Sequence, residues 1–160
     1  EWNNRREEKA ANGENGLYNK NELIQTISEK YNSIGDSCFK NNGKMKEIWL
    51  PLGCRVIGRE AFYGCHIRKE VILPGRLTEI RAGAFAENCI LPQVSFPASV
   101  QKIGIQCYKG CNNLKAVRFE SGSRCREIPE GAFEGCVKLS KLTLLCFLGY
   151  MNKLHPLYEG

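Results

Sequence analysis

Apolar side chains recur along this chain with a period of about 23 residues. Isoleucines follow one another at spacings of 23, 23, 23 and 25 residues, and an aromatic ring follows each isoleucine five positions later. Such a period predicts a solenoid, because one unit cannot bury its own apolar residues whereas stacked units can. The isoleucines are Ile34, Ile57, Ile80, Ile103 and Ile128, and the rings, called the aromatic column below, are Phe39, Phe62, Phe85, Tyr108 and Phe133.

A second apolar signal lies nine residues after each ring, where two apolar residues stand at positions i and i+2. This alternation predicts a short strand with one buried face. A proline follows three of the pairs and removes a hydrogen-bond donor, so it is expected to end the strand. The segment around each ring is too short for an independent helix and is interpreted as a helical turn ended by glycine. The pairs are Ile48/Leu50, Val71/Leu73, Val94/Phe96, Val117/Phe119 and Leu142/Leu144.

The repeat resembles the BspA-like leucine-rich repeat, whose pattern is I-G-x-x-A-F-x-G-C-x-x-L-x-x-I-x-L-P. Residues 57–65 match its first half and residues 71–74 its second, and the resemblance covers about residues 34–146. It implies an α/β leucine-rich-repeat solenoid, with a parallel β-sheet on the concave face and short helical turns on the opposite face. Members are largely surface or secreted binding proteins of bacteria and protists, with others inside cells. No enzymatic activity is associated with the repeat itself.

Three repeats depart from this pattern. Residues 41–42 are Asn-Asn where Gly-Cys is expected, and residues 86–89 place a cysteine one position late. Glu120 fills a proline position and is followed by two extra residues within 121–124. Because the apolar columns persist through all three, we expect differences only in the shape of the loops.

The repeat frame also divides the chain. For residues 21–33 a capping helix is possible, because Asn21 is a suitable N-cap, but we favour a degenerate first repeat that places Tyr31 in a core column. Either element would cap the open end of the stack. The predicted divisions are a polar extension over 1–20, that segment over 21–33, five repeats over 34–146 and a C-terminal cap over 147–160.

Composition and charge narrow the class of protein. The 160 residues are 42% apolar and 25% charged, which is typical of one folded domain or one short array. Residues 1–33 hold five basic and six acidic residues, a net charge of −1, and residues 34–160 hold eighteen and eleven, a net charge of +7, so the basic surplus lies after residue 33. The basic residues are dispersed, which argues against nucleic-acid binding. The longest apolar run, Leu142–Tyr150, is about half of the ~20 residues of a membrane-spanning helix, so no membrane span is predicted.

Eight of the nine cysteines fall in apolar columns of the repeat, which favours structural thiols over disulfides or a metal site. No cofactor is predicted. Free thiols favour an intracellular or organellar compartment, with the cell surface or secretion as the alternative. Cys65, Cys111 and Cys136 share one column with Cys89 displaced by one position, Cys38 and Cys107 take an alanine column, and Cys54 and Cys125 take the column of Leu77 and Val100.

Residues between the buried positions of each strand are expected to face outward and to form the candidate binding surface. Trp49 beside Ile72 is the strongest candidate, because exposed tryptophan is typical of interaction hot spots, unless the N-terminal segment covers it. Arg118 with the loop residues Ser121, Arg124 and Arg126 could meet an acidic partner or a phosphate, or could be a solvated rim. The outward residues are Glu47, Trp49, Glu70, Ile72, Gln93, Ser95, Ala116, Arg118, Lys141 and Thr143.

Catalysis has little support in the sequence. No Ser/His/Asp set, nucleophile elbow or phosphate loop is present, and a Cys/His dyad of Cys65 with His66 is disfavoured because Cys65 belongs to a core column. The predicted function is a non-catalytic protein-binding module that recognises a partner through the concave strand face and the 120–126 loop. The alternative is a structural accessory subunit docked in a larger multiprotein assembly.

Overall fold

A computed structural model of the chain describes residues 24–144, with side chains over residues 27–143. Nine short strands stack in parallel into a solenoid, and no helix occurs within residues 24–144. The extension predicted for 1–20 and the cap predicted for 147–160 lie outside the described residues. The strands are β1 (Ile24–Thr26), β2 (Ser33–Ile34), β3 (Glu47–Trp49), β4 (Val56–Ile57), β5 (Glu79–Ile80), β6 (Gln93–Phe96), β7 (Lys102–Ile103), β8 (Ala116–Phe119) and β9 (Lys141–Leu144).

The apolar pairs form one side of the solenoid, as predicted, but in two sheets rather than one. β1 pairs with β3, and β6, β8 and β9 form a three-stranded sheet, both in parallel. The strand predicted at residues 71–73 is absent, although Val71 and Leu73 are buried and Ile72 is 60% exposed. This side therefore keeps the alternation of side chains throughout but loses its regular hydrogen bonding at repeat two.

A local change of register in repeat two accounts for the interruption. The amide of Lys115 donates to the carbonyl of Pro92, 23 residues earlier, whereas the amide of Arg68 donates to Lys46, only 22 residues earlier. Ile67 is buried in this repeat, and Arg68, which occupies the leucine position of the motif, is exposed. Val71 and Leu73 nevertheless bury their side chains at the positions that the repeat predicts, but the backbone of residues 70–73 does not rejoin a strand ladder.

A second sheet, which the sequence did not predict, runs through the isoleucines in the order β2-β4-β5-β7. Each strand has two residues, so no alternation could reveal it. The ladder continues one residue further, since the amide of Gly104 donates to Ile80 at 2.7 Å. Pro129 occupies the position of Gly104 in the next repeat and has no N–H to donate, so the sheet ends at β7.

The predicted helical turns are wrong, and successive tight turns replace them. In repeat two the amide of Ala61 bonds back to Gly58 at 3.2 Å, but the amide of Phe62 bonds across to Ala84 of the next repeat at 2.8 Å. Left-handed residues, with φ between 52° and 74°, recur at two positions in every repeat and turn alternate amides toward the next repeat. They prevent a helix and create a third hydrogen-bonded ladder, called the turn ladder below. The left-handed residues are Ser37, Asn41, Glu60, Gly64, Gly83, Glu87, Gln106, Gly110, Gly131 and Gly135.

The aromatic column forms the centre of the core, and its prediction is confirmed. Consecutive ring centroids lie 5.2 to 5.8 Å apart with the planes nearly parallel. Phe96 meets Tyr108 edge-on at 5.7 Å and so links the strand side to the column. All five rings of the column are buried.

The cysteine column behaves as a hydrogen-bonding column. The thiols of Cys65 and Cys111 donate to the carbonyls of Phe39 and Phe85 at 3.0 and 3.3 Å. In repeat three this role belongs to Asn88, whose amide donates to Phe62 at 2.8 Å. The prediction that Cys89 is the displaced member is therefore wrong, because Asn88 holds the column in register and Cys89 lies beside it, half-buried.

Candidate protein-binding face

The outward residues of β3, of segment 70–73 and of β6, β8 and β9 lie on one side of the solenoid, called the strand face below. Their side chains point outward because the apolar residues between them are buried in the core. The exposed members are Trp49, Ile72, Gln93, Arg118 and Lys141, and the half-buried members are Glu47, Glu70, Ser95, Ala116 and Thr143.

The first end of the strand face carries large apolar side chains. Trp49 is 50% exposed and Ile72, one repeat further, is 60% exposed. The indole N–H of Trp49 donates to Glu47 Oε1 at 3.1 Å, and Glu47 Oε2 also meets Lys69 Nζ at 2.9 Å. The tryptophan ring is thus anchored at one edge and exposed over the rest. The alternative prediction, that the N-terminal segment covers Trp49, concerns residues outside the described range.

Leu52 extends this apolar end, and sequence reasoning missed it. Its side chain is 75% exposed, and its amide donates to Glu29 Oε2 at 2.8 Å. A signal was available, because Gly75 and Ala98 take the same position in the next two repeats. A large apolar residue at a position that small residues otherwise fill points to a role outside the core.

The middle of the strand face is polar and internally satisfied. Gln93 Nε2 donates to Glu70 Oε2 at 2.6 Å across one repeat. Both carboxylates of the face, those of Glu47 and Glu70, therefore already have donors within the chain.

The far end of the strand face is basic. Arg118 lies between Ser95 and Thr143 on the neighbouring strands, and Lys141 lies beside Ala116. Because these neighbours are small, the side chains of Arg118 and Lys141 project beyond the residues beside them.

The loop after β8 adjoins this basic end. Its backbone turns at Gly122, with φ of 76°, and the amide of Arg124 donates to Ala98 at 3.0 Å. Ser121, Arg124 and Arg126 are all exposed, as expected of a binding loop.

An open cavity of about 460 Å³ lies elsewhere, along the second sheet. Arg81 crosses it, with Nε 3.5 Å from Glu79 Oε1 and Nη1 4.0 Å from Asp36 Oδ1. Arg59 and Lys102 also line it. Its acidic and basic groups largely balance, so it shows no preference for a charged ligand.

The described residues offer little reactive chemistry. Burial raises the pKa of the Cys54 thiol to about 11 and that of Cys136 to about 12, and it also raises the pKa values of Cys107 and Cys111. These thiols remain protonated at neutral pH, and the thiolate is the nucleophilic form. Cys65 is buried with its thiol donating to the carbonyl of Phe39, whereas the side chain of His66 is exposed.

In the described part of the chain, no group of three or more His, Cys, Asp and Glu side chains is arranged to hold a metal ion. Over the same residues, no helix has the length and apolar character to cross a membrane.

The stacked parallel strands and buried aromatic column define a leucine-rich-repeat solenoid. The chain belongs to the BspA type leucine-rich repeat family, whose repeat-region model matches residues 22–153 in six copies. No curated protein matches the chain significantly.

Solved structures agree with this fold. The pneumococcal vaccine antigen PcpA shares 21% identity at a TM-score of 0.75, over 81% of this chain and 32% of that protein. A leucine-rich cell surface protein from Faecalibacterium prausnitzii shares 24% identity at 0.74, over 84% and 36%. The leucine-rich repeat protein of T. pallidum shares 26% identity at 0.64, over 80% and 72%. The chain spans about a third of the first two proteins, and their likeness establishes the fold alone.

Proposed function

We propose that this chain is a non-catalytic protein-binding module, whose strand face and 120–126 loop recognise a protein partner. The observation that carries the proposal is the exposure of Trp49 and Ile72 on neighbouring repeats, at 50% and 60%. Exposed aromatic and aliphatic side chains grouped on one face are typical of protein interaction sites, where tryptophan often dominates the binding energy.

The rigidity of the surrounding backbone supports this proposal. Every repeat junction within residues 33–136 carries the turn ladder, and the isoleucine side is joined in one sheet from β2 to β7, past the repeat that holds Ile72. A face that is already ordered loses little conformational entropy on binding, so more of the contact energy becomes affinity. The hydrogen bond from Trp49 to Glu47 also lowers the entropy lost on binding, because it restrains the indole ring before a partner binds.

Family membership supports the same class of function. Stacked repeats present extended surfaces that suit protein recognition, and the face predicted to be concave is such a surface. One structural relative, from Faecalibacterium prausnitzii, is described as a cell surface protein. An adhesin-like role for this chain is consistent with that description.

The experiment uses two isoleucines of similar exposure on different sides of the solenoid. A photoreactive phenylalanine analogue at position 72 should crosslink a partner in extracts of the source organism, and the same residue at Ile105 should not. Ile72 is 60% exposed and Ile105 is 55% exposed, so general stickiness would affect both equally.

The crosslinked protein is then purified, and its affinity for the unmodified chain is measured by calorimetry. We expect Trp49→Ala and Ile72→Ala to weaken binding by about tenfold or more, whereas Ile105→Ala leaves it unchanged. Stability should change by less than about 1 kcal/mol in all three variants, because surface truncations have small effects. Equal affinity of all variants for the partner would move the interface away from the strand face.

A further inference from the structure

We propose that the partner contributes an extended acidic segment, which lies across the strand face with an apolar side chain on Trp49 and carboxylates at the basic end. This inference rests on the proposed function and adds the chemistry of the partner. It follows from the distribution of satisfied and unsatisfied charge along the face. The basic end is defined here by three side chains, called the cation cluster: Arg118, Arg124 and Lys141.

The acidic residues of the strand face cannot supply the attraction for a basic partner. Glu47 already accepts from Trp49 and pairs with Lys69 at 2.9 Å. Glu70 accepts from Gln93 at 2.6 Å. A basic segment would have to displace these internal donors.

The side chains of the cation cluster, unlike these carboxylates, have no partner among the described residues. All three side chains are exposed, and within residues 27–143 none of them forms a salt bridge or a side-chain hydrogen bond. Glu120 is exposed two residues after Arg118, yet no ion pair joins them. Residues 118–127 together with Lys141 hold four basic and two acidic residues, which gives the basic end a net charge of +2.

The spacing of the cluster fits an extended polypeptide. Arg118 and Lys141 lie diagonally on adjacent strands, about 8 Å apart at Cα for a strand spacing of about 4.8 Å and a rise of about 3.3 Å per residue. Side chains at positions j and j+2 of an extended segment are separated by about 7 Å, so two such carboxylates can meet both cations.

The apolar end lies at a matching distance. Trp49 and Arg118 are three repeats apart, which is about 14 Å at the same strand spacing. An extended chain covers this distance in about four residues. The segment is therefore expected to carry an apolar residue about four positions away from a pair of acidic residues.

The probe is a library of random linear peptides displayed on phage, selected on the immobilised 160-residue chain at low salt. We expect the selected peptides to show this apolar-acidic spacing. The selected peptides are then synthesised with a fluorescent label, together with copies in which Asn and Gln replace Asp and Glu. Affinities are measured for the original chain and for the Arg118→Glu, Trp49→Ala and Lys102→Glu variants.

Arg118→Glu should weaken binding of the acidic peptides by roughly tenfold or more, since it removes a charge-assisted hydrogen bond and adds repulsion. It should have little effect on the amide copies. Lys102→Glu is the matched control, because it makes the same change in net charge on the isoleucine side and should leave affinity within about twofold.

Other results would overturn the inference, and they separate it from the proposed function. Peptides without acidic bias, which lose affinity with Trp49→Ala but not with Arg118→Glu, would retain a protein-binding strand face and refute the acidic partner. Peptides that bind all variants equally would refute both proposals. If heparin binds in an Arg118-dependent manner and no peptide does, the occupant is a polyanion other than protein, and the inference fails.

Discussion

Replacing Gly104 with alanine tests the close packing between repeats. A Cβ atom at this position would lie 2.5 Å from the Arg81 carbonyl carbon and 2.6 Å from Ala82 Cα, and closer still to the Ala82 nitrogen. All three are backbone atoms held in the second sheet and the turn ladder, so no side-chain rotation relieves the contact. Gly58 has the same requirement, because a Cβ there would lie 2.6 Å from the Asp36 nitrogen, whereas Arg81 occupies the equivalent position in the repeat between them.

The expected loss of stability in Gly104→Ala is the sum of two costs. Forcing a methyl group against fixed atoms costs about 1–3 kcal/mol. The displacement also strains the bond from the Gly104 amide to Ile80, now 2.7 Å long, whose loss adds about 1 kcal/mol. We therefore expect Gly104→Ala to lower the free energy of unfolding by about 2–4 kcal/mol.

Gly75→Ala is the control, since no atom lies within 4 Å of a Cβ built at Gly75. It should be neutral or stabilise by up to about 1 kcal/mol, through the lower entropy of the unfolded chain. Urea titrations followed by far-ultraviolet circular dichroism give both values. A Gly104→Ala midpoint that equals that of Gly75→Ala, at unchanged slope, would refute the proposed clash.

Three further outcomes are expected. Phe85→Ala should lower stability by about 3–5 kcal/mol in the same titration, because the ring is fully buried in the aromatic column; a near-neutral value would contradict the stacking. Asn88→Ala should cost about 2–3 kcal/mol, because its amide satisfies two carbonyls at 2.8 Å, and Asn88→Cys should recover part of this; equal losses would argue against a hydrogen-bonding role. The contribution of the buried Cys54 thiol to stability should be fully present below pH 9, the ordinary thiol pKa, and should be lost as the pH rises through its folded-state pKa near 11, because the unfolded chain releases the proton first. Cys54→Ala should therefore reduce the fall in stability between pH 9 and 11, to which the other buried thiols also contribute, and an unaltered fall would exclude the Cys54 thiol.

The parts of the fold that depend on which side chains recur were predictable from the sequence. The spacing of the aromatic column was sufficient to place its rings in one stack, because only burial explains aromatic residues at that period. The outward direction of Trp49 and Ile72 followed from alternation in the same way. Ile72 kept that direction even where its strand did not form.

The parts that depend on backbone conformation were not predictable. Left-handed positions filled by Glu60 and Gln106 give no sequence signal, because φ values of 52° and 54° are uncommon for such residues. The sequence did not predict that Asn88 fills the cysteine column at repeat three. A polar amide and a thiol look unlike in the sequence, yet both donate a hydrogen bond to a carbonyl of the preceding repeat. The ion pair of Lys69 with Glu47 was also not predictable. Lys69 lies in the repeat whose hydrogen-bond register shifts, and the spacing of side chains in the sequence does not reveal that shift.

The two interruptions of the sheets occur at different heights in the stack. One side loses its bonding around residues 70–73, where the isoleucine side is continuous through β4 and β5. The isoleucine side ends at Pro129, where β8 and β9 are joined. The turn ladder crosses both levels, so two of the three seams remain closed wherever the third opens. A force that stretches the solenoid along its axis therefore meets at least two intact hydrogen-bonded ladders at each junction, and no junction offers a plane at which neighbouring repeats can separate easily.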